Sequence, residues 1–248
     1  MKISIITATY NSAATVRDTL SCIAAQQYSD IEHIIVDGLS VDNTLQVVKE
    51  FPHVATVISE KDKGIYDAMN KGIGLSTGDI IGILNSDDFY NHSLVLQKVA
   101  KAFEDPAVDT VYGDLQYVRQ DNTTVVTRTW KSGPYNKKSF YYGWMPPHPT
   151  FFVRRKMYEK AGLFRTELKS AADYELMLRM LVKHDATAAY IPEVLVKMRA
   201  GGVSNASLRN RVKANNEDKQ AWKMNGLKPY MFTTYLKPVR KIFQFIKR

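Results

Sequence analysis

The stretch that decides the fold is Ile80-Ile81-Gly82-Ile83-Leu84-Asn85-Ser86-Asp87-Asp88, an apolar run that ends in a polar turn. A short continuous apolar run before a turn is typical of a strand that is covered on both faces. Two adjacent carboxylates at the end of a buried strand repel each other unless a cation or hydrogen-bond donors compensate them. Oxygen ligands suit Mg²⁺ or Mn²⁺, so Asp87 and Asp88 are candidate metal ligands. The alternative is that Asp88 caps the helix expected to begin near Ser93.

The chain before this strand repeats one unit, a short apolar run followed by an amphipathic helical pattern. We predict strands at residues 3–7, 31–37, 55–60 and 80–84, and helices from Ser12 and at residues 42–51 and 65–75. This alternation predicts the α/β class, with a mainly parallel sheet flanked by helices. Ligands of such sheets bind beyond the carboxyl ends of the strands. The polar residues that follow these strands should therefore line one crevice; they are Thr7, Thr9, Asn11, Asp37, Asp62, Asn85, Ser86, Asp87 and Asp88.

The second half of the chain has a different pattern. Residues 110–118 and 124–130 are β-branched and aromatic, which predicts an antiparallel hairpin. Residues 131–149 are rich in glycine, proline and aromatic side chains, and long loops of this kind inside a domain are usually functional. We further predict strands at residues 150–154 and 188–198, and helices at residues 173–184, 207–224 and 230–247.

Composition and charge exclude several classes of protein. The chain has 248 residues, 45% of them hydrophobic, so it can bury a core, and its single cysteine, Cys22, excludes an internal disulfide. Residues 209–248 carry 11 Lys/Arg against 2 acids, a difference that equals the whole net charge of +9. The neutral first 208 residues give a nucleic-acid-binding module no support. We expect no signal peptide or membrane span, and hence a cytoplasmic protein.

Two enzyme classes with related folds are weighed on the turn after the first strand. Thr9-Tyr10-Asn11-Ser12 stands where a dehydrogenase of the dinucleotide-binding fold carries Gly-x-Gly-x-x-Gly. A sugar nucleotidyltransferase is closer in chemistry, but the chain has no glycine-rich, basic phosphate loop at this point. The nucleotidyltransferase stays as the alternative to the function below.

The chain resembles family 2 inverting glycosyltransferases of the GT-A fold, of the type that builds bacterial surface polysaccharides. The resemblance covers about the first 200 residues and rests on four stretches in the family's order. These are Ile5-Ile6-Thr7-Ala8-Thr9-Tyr10-Asn11, Asp37-Gly38-Leu39-Ser40-Val41-Asp42-Asn43-Thr44, Ser59-Glu60-Lys61-Asp62-Lys63-Gly64-Ile65-Tyr66-Asp67-Ala68-Met69-Asn70-Lys71-Gly72 and Leu84-Asn85-Ser86-Asp87-Asp88.

The resemblance implies a donor site along these stretches. Thr7, Asp37 and Asp62 would hold the uridine of a UDP-sugar, with Thr9, Asn11, Asn85 and Ser86 in the same site. In the acidic motif, where Asn85 replaces the family's first acid, we favour Asp88 as the direct metal ligand and place Asp87 on the ribose or sugar. Met69 stands where many members have arginine, so Lys63 or Lys71 would bind the diphosphate.

The resemblance also implies an acceptor side. Asp173 matches the catalytic base of the family's Glu-Asp-aromatic motif, with Ala172 in place of the glutamate; the competing interpretation is a helix cap. His148 would lie near the acceptor or the diphosphate, or else be structural. Trp144 would stack on a sugar face, or else pack in the interior, and Glu175 is expected on a helix surface.

These expectations combine into one function. The chain would use Mn²⁺ or Mg²⁺ to move a sugar from a nucleotide-sugar to a hydroxyl of a saccharide acceptor carried on a polyprenyl diphosphate. Residues 1–206 would form the catalytic domain, with a nucleotide-sugar half at 1–108 and an acceptor half at 109–206. Residues 207–248 would form a basic helical extension, peripheral on the inner face of an anionic membrane. Its apolar face would carry Val239, Ile242, Phe243 and Ile246.

Overall fold

The computed structural model describes residues 1–201, 208–237 and 240, and only the backbone of residues 208–213. The strands are β1 Ile3–Thr9, β2 Ile31–Asp37, β3 Val54–Ser59, β4 Ile80–Ile83, β5 Phe89–Tyr90, β6 Thr110–Val118, β7 Val126–Trp130, β8 Phe152–Arg154 and β9 Ala188–Arg199. The helices are α1 Val16–Ala24, α2 Thr44–Lys49, α3 Ile65–Leu75, α4 Val95–Ala102, α5 Lys137–Tyr141, α6 Arg155–Ala161, α7 Ala172–Leu178 and α8 Leu208–Met224. A 3₁₀ turn at His148–Thr150 precedes β8, and a π-helical turn at Arg179–Lys183 continues α7.

The strands in the described part of the chain form a single mixed sheet, in the order β3-β2-β1-β4-β8-β6-β9-β5 with β7 paired to β6. The first four strands are parallel, and β8 joins them antiparallel through β4 and β6. Every residue of β1 and β4 is buried, because helices cover both faces of this part of the sheet. The predicted α/β class and its mainly parallel first half are confirmed.

Most predicted elements lie where the sequence places them, and the differences have local causes. Ser12 is not the cap of α1, since the helix begins at Val16 and the Ser12 carbonyl accepts its first amides. The amide of Ser12 is held at 2.7 Å by the Thr44 hydroxyl, which keeps this turn outside the helix. The predicted loop at residues 131–149 contains α5. Helix α6 and the two-residue β5 were not predicted.

Helix α8 belongs to the core of the protein. Trp222 is fully buried in the same apolar cluster as Tyr174 of α7, and its indole nitrogen donates to the Tyr174 hydroxyl at 2.8 Å. Helix α8 therefore packs on α7, and the boundary at 206/207 stays a prediction. The amphipathic helix predicted through Val239, Ile242, Phe243 and Ile246 lies outside the described residues. No described helix is long and apolar enough to cross a bilayer.

A buried histidine couples the stability of this sheet to pH. His33 of β2 is fully buried, with Nε2 at 3.0 Å from the Thr7 hydroxyl and Nδ1 at 3.1 Å from Nε2 of His53. Burial and, to a smaller extent, the charge of the neighbouring His53 lower the pKa of His33 to about 3. The unfolded chain therefore takes up this proton near pH 6.5, well before the folded protein does.

We expect the free energy of unfolding to be constant above about pH 6.5 and to fall as the pH decreases toward 3. From pH 7 to pH 5 the loss from this group is on the order of 2 kcal/mol. Urea unfolding at the two pH values measures it, with His33→Gln as the matched control that does not titrate. An equal loss in wild type and variant would show that other groups carry the dependence.

Candidate active site

The carboxyl ends of the parallel strands meet at one edge of the sheet. Thr9 is in register with Asp37, and Asp37 with Ser59, so the polar residues after β1, β2 and β3 lie side by side. Thr7 does not reach this edge: it is fully buried inside β1, and its hydroxyl bonds to His33. In this conformation Thr7 contacts His33 two residues before the end of the strand, and its contact with a nucleoside stays a prediction.

Asp37 is at the predicted edge but faces inward. It is fully buried, and its carboxylate accepts hydrogen bonds from the Ser40 amide at 3.0 Å and from the hydroxyls of Ser40 and Ser59. These bonds fix the turn after β2. The expected contact of Asp37 with a nucleoside stays a prediction, and in this conformation the Ser40 and Ser59 hydroxyls cover its carboxylate.

Asp62 and Tyr10 border a groove at the same edge. Asp62 is half-buried and accepts from the Gly64 amide at 2.8 Å. Its carboxylate lies against Gly38, where a Cβ atom would come within 2.6 Å of Asp62 Oδ2, and the Tyr10 ring borders the same glycine. Tyr10 is 63% exposed, so an aromatic face and a carboxylate oxygen are both accessible here. Tyr10 is part of the first motif, although no role was predicted for it.

Asn11 connects two loops of this edge. It has a φ of +48°, which asparagine tolerates better than most residues. Its side-chain oxygen accepts from the Val41 amide at 2.9 Å, and its own amide donates to the Ser40 hydroxyl at 2.8 Å. Asn11 thus ties the β1 loop to the β2 loop, and any part it has in donor binding is through this positioning.

The acidic turn after β4 separates its two carboxylates. Asp87 is half-buried, while Asp88 is fully buried and its Oδ2 accepts from the Asn85 amide nitrogen at 3.1 Å. Burial raises the pKa of Asp88 well above its usual value, and the charge of Asp87 adds to this rise. Burial also raises the pKa of Asp87, although Arg199 and His148 oppose the rise. Asp87, rather than the favoured Asp88, is the carboxylate that faces the cleft.

The competing interpretation of this turn, a helix cap by Asp88, is wrong. Asp88 does not cap α4, whose N-cap position is Leu94 and has no side-chain cap bond. Ser86 is nearly buried, and its hydroxyl donates to the Ser12 hydroxyl at 2.9 Å, so it links this turn to the β1 loop. Arg199, at the end of β9, donates to the Asp87 carbonyl at 2.6 Å and pairs with Asp18. It lies one residue after the last predicted strand, and no motif marked it.

The two lysines predicted on the diphosphate differ in their surroundings. Lys71 is already occupied: its ammonium lies 2.8 Å from Glu60 Oε1 and 2.9 Å from the Lys61 carbonyl, and the hydrogen bond to Glu60 raises its pKa. Lys71 is therefore a poor phosphate ligand. Lys63 is exposed, and the ammonium of Lys169 lies 3.4 Å from its carbonyl. These two cations remain on the surface next to Asp62.

Asp173 lies in the first turn of α7 and does not cap it. The N-cap is Ala171, and Glu217 of α8 supplies the cap by accepting from the Ser170 and Ala171 amides at 2.7 and 3.1 Å. The carboxylate of Asp173 is held from two sides instead. The Tyr66 hydroxyl donates to Oδ1 at 3.3 Å, and His148 Nδ1 lies 3.3 Å from Oδ2.

The surroundings of Asp173 suit a reactive carboxylate. Its side chain is 18% exposed and opens into a cavity with mostly apolar walls. Burial and the charge of Asp173 both raise the pKa of Tyr66, so this phenol stays a hydrogen-bond donor. His148, whose Nδ1 lies 3.3 Å from Asp173, also lowers the pKa of Asp87 through its charge, so it lies near both Asp173 and the acidic turn. The cavity is lined by Met69, Ile83, His148, Phe151, Tyr158, Phe164, Asp173, Leu176 and Met177.

The family is decided by comparison with known proteins. The family model described as Glycosyl transferase family 2 matches residues 4–162. The chain belongs to glycosyl transferase family 2. This family 2 glycosyltransferase is 30% identical over 208 residues to the PGL/p-HBAD biosynthesis glycosyltransferase of Mycobacterium tuberculosis, a match that covers 82% of this chain and 78% of the relative.

Solved structures confirm the GT-A type of fold of the family 2 glycosyltransferase. S. aureus TarS 1–349 in complex with UDP-GlcNAc aligns with a TM-score of 0.71 at 17% identity, over 99% of this chain and 72% of that one. The mannosyltransferase PcManGT from Pyrobaculum calidifontis, in complex with GDP-Man and Mn²⁺, aligns with a TM-score of 0.67 at 20% identity, over 95% and 68%. At these identities the likeness shows the fold alone.

Two side chains of the family 2 glycosyltransferase differ from their predicted environment. Trp144 is 6% exposed, and its indole nitrogen donates to the Ser132 carbonyl at 2.8 Å, so it packs in the interior and offers no face to a sugar. Glu175 is fully buried, not on the surface, and pairs with Arg179 at 2.9 Å and Arg165 at 3.3 Å. Both side chains are satisfied by partners in the interior.

Proposed function

We propose that this family 2 glycosyltransferase moves a sugar from a UDP-sugar to a hydroxyl of a saccharide acceptor, with inversion at the anomeric carbon. The observation that carries the proposal is the environment of Asp173. It lies in the cleft that also contains Asp87, and it makes no cap bond to its own helix. A carboxylate in this position has a free lone pair for a proton.

Asp173 acts as the general base. The Tyr66 hydroxyl and His148 each occupy one of its oxygens, which fixes the plane of the carboxylate and leaves further lone pairs for the acceptor hydroxyl. The hydroxyl oxygen attacks the anomeric carbon on the face opposite the diphosphate, and its proton passes to Asp173. The bond to the diphosphate breaks in the same displacement, so one step inverts the centre and no enzyme-bound sugar forms.

A divalent cation fits the acidic turn together with the donor phosphates. In the described residues no three His, Cys, Asp or Glu side chains converge as a preformed site. Mg²⁺ and similar ions are commonly held by one or two carboxylates plus substrate phosphates, and Asp87 supplies one of these. Asn85 Oδ1 and Asp88 Oδ1 are buried without a partner in this turn. When bound, the cation supplies Lewis-acid stabilisation of the departing diphosphate.

The rest of the donor site follows from the same edge. Tyr10 offers a stacking face for the base, and Asp62 offers an acceptor for its N–H or for ribose hydroxyls. Lys63 and Lys169 lie where they can attract the diphosphate. TarS is solved with UDP and UDP-GlcNAc and PcManGT with GDP-Man, and of these nucleotides we favour UDP.

The proposed acceptor is a saccharide on a polyprenyl diphosphate, in the assembly of a cell-surface polysaccharide. The name of the mycobacterial relatives, PGL/p-HBAD biosynthesis glycosyltransferase, supports a biosynthetic role of this general kind. The proposed place is the cytoplasmic face of a membrane, supported by the 11 Lys/Arg of residues 209–248.

A donor panel tests the function. The full chain is mixed with Mn²⁺ and UDP-, GDP- or dTDP-sugars, and we expect UDP-sugars alone to raise the melting temperature by several degrees, as ligands of the folded state do. The positive donor should then release UDP only when an acceptor saccharide is added. A larger shift with GDP-sugars overturns the choice of nucleotide. Release of pyrophosphate from UTP and a sugar phosphate would favour the nucleotidyltransferase.

A further inference from the structure

A patch of exposed aromatic and thioether side chains lies where the segment after α8 packs beside Tyr142. We call Tyr142, Tyr230, Met231, Phe232 and Tyr235 the aromatic patch. Met231 is 96% exposed, and the other four are between 45% and 58% exposed. The rings of Tyr142, Tyr230 and Phe232 contact one another, with centroid distances of 5.3 to 6.0 Å. Large apolar side chains this exposed and this close together usually mark an interaction site.

The described charged side chains that border the aromatic patch are cations. Lys219 donates to the Tyr235 hydroxyl at 3.2 Å, and Arg240 donates to the Tyr142 carbonyl at 3.5 Å, so both lie at its border. Lys228 is exposed two residues before Tyr230. The only acids in the sequence of residues 209–248 are Glu217 and Asp218.

Both acids of this segment are turned inward. Glu217 is 8% exposed and caps α7, and Asp218 is 4% exposed and pairs with Lys237 at 2.7 Å. In the described part of residues 209–248, the charged side chains left at the surface beside the aromatic patch are therefore cationic. A protein surface with both positive and negative charges does not complement this cationic border. A surface of lipid phosphates does.

We propose that the aromatic patch docks on an anionic lipid bilayer. Tyrosine rings with a polar end suit the headgroup region, and Met231 and Phe232 at the tip of the turn enter the acyl boundary. Lys219, Lys228 and Arg240 then face the lipid phosphates. A second copy of the chain is a weaker occupant, because a stable interface takes about 20–30 residues a side and the patch has five.

The aromatic patch is connected by side-chain packing to α7, the helix that carries Asp173. Tyr141, beside the patch, packs on Trp222 at 4.8 Å, and Trp222 bonds to Tyr174, the neighbour of Asp173 in sequence. The helix that carries the base is therefore braced by the element that meets the lipid. Lipid binding by itself needs neither donor nor acceptor, so this proposal stands or fails separately from the proposed function.

Co-sedimentation of the full chain with vesicles tests the docking. One set of vesicles is phosphatidylcholine, and the other contains about a third phosphatidylglycerol. We expect binding to the anionic set that 0.5 M NaCl weakens. The double variant Met231→Ser/Phe232→Ser should bind at least about tenfold more weakly, the scale of exposing two large apolar side chains. Val57→Ser is the matched control, because Val57 is 46% exposed on edge strand β3, away from the patch.

Three results would overturn the proposal or a part of it. Equal binding of the double variant and wild type overturns the proposal and assigns lipid binding, if any, to residues other than the aromatic patch. Equal binding to both kinds of vesicle overturns the role of the cationic border. A dimer in analytical ultracentrifugation that the double variant abolishes overturns it in favour of a second copy. Unchanged thermal unfolding of the variant confirms that it is folded.

Discussion

Asp173→Asn should lower turnover at least about a hundredfold, the usual scale for loss of a general base. The amide keeps the shape of the side chain and can still meet Tyr66, but it has no lone pair basic enough for the acceptor proton. The affinity for UDP should change less than about twofold, because Asp173 lies on the acceptor side of the cleft. Steady-state transfer assays and calorimetric UDP titration measure the two effects.

Tyr66→Phe gives the graded comparison for the base. It removes the donor to Asp173 Oδ1 but keeps the ring that stacks on Phe164 at a centroid distance of 5.5 Å. We expect a turnover loss of about threefold to tenfold, as for one hydrogen bond. If Asp173→Asn turns over like wild type, Asp173 is not the base, whatever Tyr66→Phe does.

Asp87→Ala should abolish the metal-dependent part of UDP binding. Asp87 is the carboxylate of the acidic turn that is exposed to the cleft, so its removal leaves the cation only phosphate and water oxygens. We expect UDP affinity in Mn²⁺ to fall at least tenfold, to the value that wild type shows in EDTA. Isothermal titration of UDP with and without Mn²⁺ measures both states.

Asp88→Asn is the matched control for this variant. Asp88 is fully buried with a raised pKa, and asparagine has the same shape as the protonated acid. It should keep metal-dependent UDP binding within about threefold of wild type. The reverse order, with Asp88→Asn defective and Asp87→Ala normal, would restore Asp88 as the direct ligand. Metal-independent UDP binding in wild type would contradict the metal role as a whole.

The parallel half of the fold was predictable because its signals are local. Strands β1, β2 and β4 are rich in isoleucine and almost wholly buried, and a polar turn follows each one, so their existence and their common edge can be derived from the sequence. The predicted bounds of β2 and α3 match the structure. The antiparallel half is harder, since β5 has two residues and α6 begins directly after β8.

The orientation of individual side chains was not predictable from local pattern. Asp87 and Asp88 are chemically identical neighbours, and only the fold of the turn decides which one is buried. The charge of Glu175 predicts a surface position. In the structure it is buried, and Arg179, Arg165 and Asn225 surround it. Glu217, which frees Asp173 from capping, comes from a helix 44 residues later and belongs to no motif.

The packing of α8 on α7 limits how this enzyme can be recombined with its relatives. The family match ends at residue 162, before Asp173, and Asp173 depends on a cap from Glu217 and on the Trp222 contact to Tyr174. A chimera joined at residue 206 would therefore combine α7, which carries Asp173, from one protein with α8 from another. A chimera joined at residue 162 would separate α7 from the part of the chain that the family match covers. Acceptor specificity should be inherited as one block, from β6 through the end of α8, and any exchange of parts should respect that unit.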